Sequence, residues 1–316
     1  MKKGKSLTEI LNIKYPIILA PMFLVSNVAM LVAASKAGIT GCVPALNYRT
    51  IEEFKVALKE LKSTCKGPFG INLIVNKSNF LYKEQLKACC EYQVDYIITS
   101  LGSPEETINM AHKVGVKVFC DVVNLAYAKK VEGLGADALI AVNKEAGGHF
   151  GPTSYQELIP ELVNNCNIPV ISAGGVGNHE QMQQMINLGA AGISVGSIFI
   201  ASAESDVLDE YKEACVSYGA KDITFTNKLS GSDCTVINTL YVQEMGTQQN
   251  RLEKFLSKNK RFKKWFKAFT FYRGMKKFQK AAFSATYKTV WCAGPSIEYV
   301  KSIRPVAEIV NDLVNG

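Results

Sequence analysis

Hydrophobic residues along the first two-thirds of the chain fall into two alternating kinds of run. Short β-branched runs begin at Pro16 (PIILA), Ile39 (ITGCV), Phe69 (FGINLIV), Val94 (VDYIIT), Val116 (VKVFCDV), Ala138 (ALIAV), Pro169 (PVISA) and Gly192 (GISVG). Between them, residues 28–36, 51–61, 84–91, 105–113 and 180–188 repeat their apolar positions at helical spacing. Strand starts lie roughly 20 to 30 residues apart, which suits a strand, a crossover helix and two loops. The strands are apolar on both faces, as in a parallel sheet covered by helices. Eight such units predict an α/β fold, a closed (β/α)8 TIM barrel, whose usual size of about 250 residues is reached only once a final helix is added. Residues 297–314 (IEYVKSIRPVAEIVNDLV) are expected to supply that helix. The barrel then comprises 1–203 plus 296–316, and 204–295 form an inserted, mostly helical, basic cap or lid segment. A doubly wound open sheet is the competing architecture. The even spacing and the lack of an early Gly-rich phosphate loop weigh against it.

Composition changes this picture little, but charge does. At 47% hydrophobic and 20% charged residues the chain can bury a large core, which excludes a disordered protein. No apolar run approaches the roughly 18 residues of a membrane span. The start of the chain does not read as a secretory h-region, so a cytoplasmic location is expected. The nine Cys are odd in number and scattered without a CxxC pair, and only three His accompany them, so no metal site is expected. The formal net charge of +8 is uneven. Residues 251–288 hold 13 Lys+Arg and one acid, a local +12, which leaves 23 bases and 27 acids, or −4, for the rest.

Barrel enzymes carry their chemistry on the loops that follow the strands, and many bind phosphate after strands seven and eight. Strand seven runs into Ser172-Ala173-Gly174-Gly175-Val176-Gly177, and strand eight into Val195-Gly196-Ser197. Glycines let backbone N–H groups approach phosphate oxygens, so this pair of turns predicts a phosphate site. Strand six is followed by Glu145-Ala146-Gly147-Gly148-His149-Phe150-Gly151. Small residues around one imidazole let the backbone pass close to a ligand and put a proton donor or acceptor beside it. His149 is therefore either a catalytic group or an ordinary loop histidine. Glu145 either orients that loop or is simply solvated. His112 and His179 fall in surface helix patterns.

PIILAPM (16–22), GINLIV (70–75), EAGGHFG (145–151), ISAGGVG (171–177) and VGSIFI (195–200) together resemble the nitronate monooxygenase family, formerly the 2-nitropropane dioxygenases. That family is related to the FMN-dependent enoyl-acyl-carrier-protein reductases. The closing KTVWCAGPSIEYVKSI (288–303) is similar as well. The resemblance implies FMN across the top of the barrel. Ala20, Pro21 and Met22 would pack beside its ring, Asn72 would hydrogen-bond it, and Glu145, Ala146, Gly147 and Gly148 would border it. Ala173, Gly174, Gly175, Gly196 and Ser197 would hold the phosphate, and His149 would be the catalytic histidine. Asp121 falls at a flavin-contacting position, where an acid departs from the family and would disfavour an anionic reduced flavin if it points inward. The implied reaction is oxidation of an alkyl nitronate with molecular oxygen to a carbonyl compound and nitrite. The alternative is an NAD(P)H-dependent reductase of an enoyl thioester on an acidic carrier protein.

Residues 221–287 depart from the family. Ser230-Gly231-Ser232-Asp233-Cys234-Thr235 resembles the cysteine loop of inosine-monophosphate dehydrogenases, but follows the glycine turns instead of preceding the second of them. Cys234 is thus a nucleophile or a buried thiol. Phe262, Trp265, Phe266, Phe269 and Tyr272 mark one aromatic face of a basic helix. It is expected to cover the barrel mouth or meet a second subunit in a homodimer. Peripheral membrane contact and an acidic carrier protein are the sharper readings. Nucleic acid is not expected, because no binding motif accompanies the charge.

Overall fold

The computed structural model describes residues 4–76, 78–228, 233–248 and 290–316. The chain opens with helix α1 (Leu7–Leu11), started by a capping box in which Ser6 and Glu9 satisfy each other's backbone N–H groups. The succession that follows is β1 (Ile17–Leu19), α2 (Val28–Lys36), β2 (Thr40–Pro44), α3 (Ile51–Thr64), β3 (Phe69–Ile74), α4 (Tyr82–Glu91) and β4 (Tyr96–Ser100). It continues with α5 (Glu105–His112), β5 (Lys117–Val122), α6 (Leu125–Gly133), β6 (Ala138–Val142), β7 (Gly148–His149), α7 (Tyr155–Asn165), β8 (Val170–Ala173), α8 (His179–Asn187) and β9 (Gly192–Val195). The strands β1-β2-β3-β4-β5-β6-β8-β9 close into a barrel in that order, and every neighbouring pair is parallel. All eight β-branched runs therefore form the barrel, and the predicted (β/α)8 architecture is the observed one.

Alternation along the strands separates two cores. Ile17, Leu19, Val43, Ile71, Leu73, Ile97, Val118 and Leu139 face outward, into the layer covered by the helices. Ile18, Cys42, Tyr96, Ile98, Phe119, Ala138, Ile140 and Ile171 face inward and fill the barrel. Gly70 is glycine for this reason, since a Cβ there would stand 2.2 Å from the Tyr96 ring. Leu7 and Leu11 of α1 join the interior cluster and plug the N-terminal end of the barrel. The C-terminal end is left as the open face.

After β9 the described residues give α9 (Asp209–Ser217), β10 (Ile223–Thr226), β11 (Cys234–Ile237), α10 (Leu240–Met245) and α11 (Val306–Asn315). The last helix begins nine positions later than the periodicity of 297–314 suggests. Pro305 has no N–H to donate and clashes with a preceding helical turn, so it caps the helix, and Pro295–Tyr299 form a separate 3-10 turn. Between strand eight and the last helix, where the sequence predicts a mostly helical segment, the chain forms a hairpin. Ile223-Thr-Phe-Thr and Cys234-Thr-Val-Ile are short β-branched stretches, and they pair antiparallel as β10 and β11. The aromatic stripe on 262–272, and the basic run that carries it, lie outside the described residues. Among the described residues, no helix is long and apolar enough to cross a membrane.

Candidate active site at the C-terminal mouth of the barrel

Continuing the inward parity towards the C-terminal end of each strand names the lining of the mouth. Ala20, Pro44, Asn72, Ser100, Asp121, Val142, Ala173 and Gly196 follow in turn around the barrel. One side of the ring is small or apolar. The other, on β3, β4 and β5, is polar.

The polar side is a single hydrogen-bonded chain. Asn72 is buried, and its Nδ2 donates to the Ile98 carbonyl at 3.1 Å and to Ser100 Oγ at 2.8 Å. Ser100 in turn donates to Asp121 Oδ2 at 2.5 Å. Burial pushes the Asp121 carboxyl up to about 6, and the Ser100 hydrogen bond opposes that rise. Ser100 was not among the residues singled out from the sequence. Its signal is alternation: it stands two places beyond Ile98 and four beyond Tyr96, on their face of β4.

The small side gathers the loops after β1, β6, β8 and β9. Ser26 Oγ bridges the first of these, accepting from Met22 N and donating to the Ala20 carbonyl. A Cβ on Gly196 would lie 3.2 Å from Met22 Sδ and 3.6 Å from Ala20 Cβ, so those residues meet. Asn143, fully buried, ties the histidine loop to the strand-seven turn: Nδ2 donates to the Gly174 carbonyl at 3.0 Å, and Oδ1 accepts from Glu145 N at 3.0 Å. Gly174 has φ +111°, and a Cβ there would stand 2.4 Å from Asn143 Oδ1 and 2.5 Å from Ala146 N. Only glycine allows that approach. The Glu145 carboxylate accepts from Tyr155 N, the first residue of α7, so Glu145 anchors the loop to a helix start. Ser197 Oγ accepts from Gly294 N at 2.8 Å, which fastens the returning chain beside Gly147.

His149 stands at the rim. Its loop is not free-standing, because β7 pairs with β11, with His149 opposite Cys234 and Gly148 opposite Thr235. The buried Thr235 hydroxyl accepts from Gly148 N at 2.8 Å and donates to the Ala146 carbonyl at 3.1 Å. The imidazole reaches solvent, yet the protein around it holds its pKa below the usual histidine value by desolvation. Phe150, the next residue, packs against Phe225 of β10 with ring centroids 4.8 Å apart. Cys234 is buried, and its thiol donates to the Thr226 carbonyl at 3.4 Å. It faces the hairpin's own core and not the mouth, which disposes of the nucleophile reading. Cys234 is thus the buried thiol of the two alternatives, and its neighbour Thr235 makes the contact to the histidine loop.

His112 and His179 are engaged elsewhere. The first contacts Asp137 at 2.9 Å, and the second the Leu313 carbonyl at 2.9 Å. A separate recess of about 540 Å³ lies on the flank, lined in part by Gly177, His179, Tyr299 and Arg304. There the Arg304 guanidinium is already paired with Asp312 at 2.5 Å. Among the described residues, no group of three or more His, Cys, Asp and Glu side chains is gathered as for a metal ion.

Comparison with known proteins agrees with this geometry. The nitronate monooxygenase family profile matches residues 4–316. A (3aS,4S,5R,7aS)-5-hydroxy-7a-methyl-1-oxo-octahydro-1H-indene-4-carboxyl-CoA dehydrogenase of Rhodococcus jostii is 29% identical over 240 residues, covering 76% of this chain and 67% of that protein. A probable nitronate monooxygenase of Staphylococcus saprophyticus is 25% identical over 304 residues, covering 82% and 85%. Among solved structures, FabK from Thermotoga maritima superimposes with a TM-score of 0.84 at 28% identity, covering 97% of this chain and 94% of that one. A nitroalkane oxidase from Streptomyces ansochromogenes shares the fold, with a TM-score of 0.81 at 20% identity over 97% and 96% of the two chains. With the profile matched from Gly4 to the last residue, the chain belongs to the nitronate monooxygenase family of oxidoreductases.

Proposed function

We propose that this protein is an FMN-dependent oxidoreductase that oxidises alkyl nitronates with molecular oxygen to a carbonyl compound and nitrite. The observation that carries the reading is the position of His149, braced at the rim above a mouth whose nearer side is built of alanine and glycine. The lining suits FMN. Ala20, Ala173 and Gly196 leave room for a planar ring, and the 174–175 and 196–197 turns offer backbone N–H groups to its phosphate. Pro21 and Met22 with Ala146, Gly147 and Gly148 would border the ring, and Asn72 would hydrogen-bond it. When bound, FMN supplies the two-electron chemistry, accepting electrons from the substrate carbon and passing them to oxygen.

The chain's own part is proton handling and orientation. With its pKa held below the ordinary value, His149 is neutral at neutral pH and can take the α-proton of a nitroalkane at a ring nitrogen. The imidazolium so formed faces the negative charge that develops on the nitro group. Thr235 fixes the loop that aims the ring. The absorbance spectrum of the purified protein, followed by anaerobic mixing with a nitronate, tests the proposal. Bleaching of a flavin band by the nitronate alone supports it; a protein that takes up no FMN refutes it.

A second reading is an NAD(P)H-linked oxidoreductase of a CoA or carrier-protein thioester. It is favoured by the 29% identity to a carboxyl-CoA dehydrogenase, against 25% for the staphylococcal nitronate monooxygenase. Rapid anaerobic bleaching by NADH or NADPH, with none by the nitronate, selects this reading. In that case an acidic carrier protein is the partner proposed for the basic stretch 251–288. Loss of carrier binding on deleting that stretch is the expected result.

A further inference from the structure

Asp121 is the one ionisable side chain among the eight inward positions named for the mouth. Its setting fixes the polarity of the wall it belongs to. The Ile98 carbonyl can only accept, so the Asn72 amide is oriented with Nδ2 towards it. The second Nδ2 hydrogen goes to Ser100 Oγ, and Ser100 spends its single hydrogen on Asp121. Both donors of Asn72 and the donor of Ser100 are thus consumed within the chain. What the wall has left to offer is the Asn72 side-chain oxygen and a carboxylate, which are acceptors only.

Among the described residues, no cation is paired with that carboxylate. The ionisable groups that feel Asp121 electrostatically are Cys42 on β2, Cys120 on β5 and Tyr127 on α6. Burial raises all three, so they are neutral at physiological pH. Asp121 itself, pushed up only to about 6, remains ionised there.

We infer that Asp121 holds the reduced flavin in its neutral, N1-protonated form, through an acceptor-only wall that disfavours negative charge on the pyrimidine side of the ring. The physical basis is Coulombic. A carboxylate in a poorly solvated mouth penalises the deprotonated reduced ring and leaves the protonated one unaffected. The inference rests on the reading of the mouth as an FMN site. It adds a role for the ionisable residue of the polar wall.

Two measurements on the holoenzyme test it without turnover. The first is a pH titration of the anaerobically reduced flavin, followed by its absorbance. The second is a titration of the oxidised enzyme with sulfite, which adds at N5 and leaves negative charge on the pyrimidine ring. Asp121→Asn keeps an oxygen to accept from Ser100, removes the charge and replaces the second acceptor with a donor. It is expected to lower the apparent pKa of the reduced flavin by about one pH unit, and to tighten sulfite binding by about tenfold. Unchanged values in an Asp121→Asn protein with FMN bound overturn the inference and leave the flavin reading standing. If wild-type protein takes up no FMN, the flavin reading itself has failed.

Discussion

The hydroxyl of Thr235 and the backbone of Gly148 are joined by a 2.8 Å hydrogen bond, between the paired strands β11 and β7 at the open face. Because the same hydroxyl also donates to the Ala146 carbonyl, one side chain satisfies both ends of the turn that presents His149. Gly148 has φ +74°, in the left-handed region, and the clamp holds the chain there. The inserted hairpin thus forms the back wall of the histidine loop.

Thr235→Val removes the donor and the acceptor while keeping the shape. It leaves a half-buried N–H and a buried carbonyl without the Thr235 hydroxyl, at a cost of about 1–3 kcal/mol borne mostly by the loop. Turnover is expected to fall with little change in KM, and the Gly148 amide to exchange faster with deuterium. Thr235→Ser should restore most of both. An unaltered exchange rate in the Val variant would show that the clamp is dispensable.

His149→Asn should leave the flavin spectrum intact and cut turnover by roughly 10²–10⁴-fold, the usual worth of a positioned proton acceptor. The loss should be larger for a neutral nitroalkane than for the preformed nitronate, which has no α-proton to give up. Comparing kcat for the two substrate forms checks this, and equal losses would assign the imidazole to charge stabilisation alone.

Gly174→Ala places a Cβ against Asn143 Oδ1 and the Ala146 amide, at a φ of +111°. Strain of about 1–3 kcal/mol follows. It should appear as a lower melting temperature together with weaker flavin retention, because the histidine loop and the strand-seven turn meet at this point. A dialysed variant that retains its cofactor as wild type does would separate the two effects.

The pH dependence of stability carries a sign set by Asp121. Its native pKa of about 6 lies above the usual value of an unfolded aspartate, so the native state binds the proton more tightly. Stability from this group is present at low pH and is lost as pH rises through about 4 to 6. Asp121→Asn should therefore stabilise the apoprotein at pH 7, by on the order of 1–2 kcal/mol once hydration of the mouth is allowed for, and should make no difference below about pH 4. Urea midpoints at the two pH values give the comparison.

The barrel was legible because each strand declares itself locally, in a β-branched run with a helix-period stretch behind it. Residues 28–36 were read as helix and are helix α2 over the same span. The glycine turns were legible for a similar reason, as consecutive glycines after a strand. What escaped depends on partners far along the chain. Ser100 gains its role only from the register that sets β4 between Asn72 and Asp121. Thr235 is an ordinary β-branched residue until β11 lies alongside β7. The late start of α11 was available in the sequence, because Pro305 sits in the middle of an otherwise continuous amphipathic pattern.

Ile237 N donates to the Trp291 carbonyl at 2.9 Å, so the chain is stitched to itself on either side of the stretch 249–289. Trp291 also stacks on Tyr211 with ring centroids 5.7 Å apart, which roots the seam in α9. A neck closed in this way works like the collar of an exchangeable tool. Residues beyond it can be lengthened, shortened or swapped at a small entropic cost, since loop closure grows only slowly with loop length. The oxidoreductase below the collar keeps its histidine, its glycine turns and its acidic wall while the sequence between the two sides of the collar is free to change.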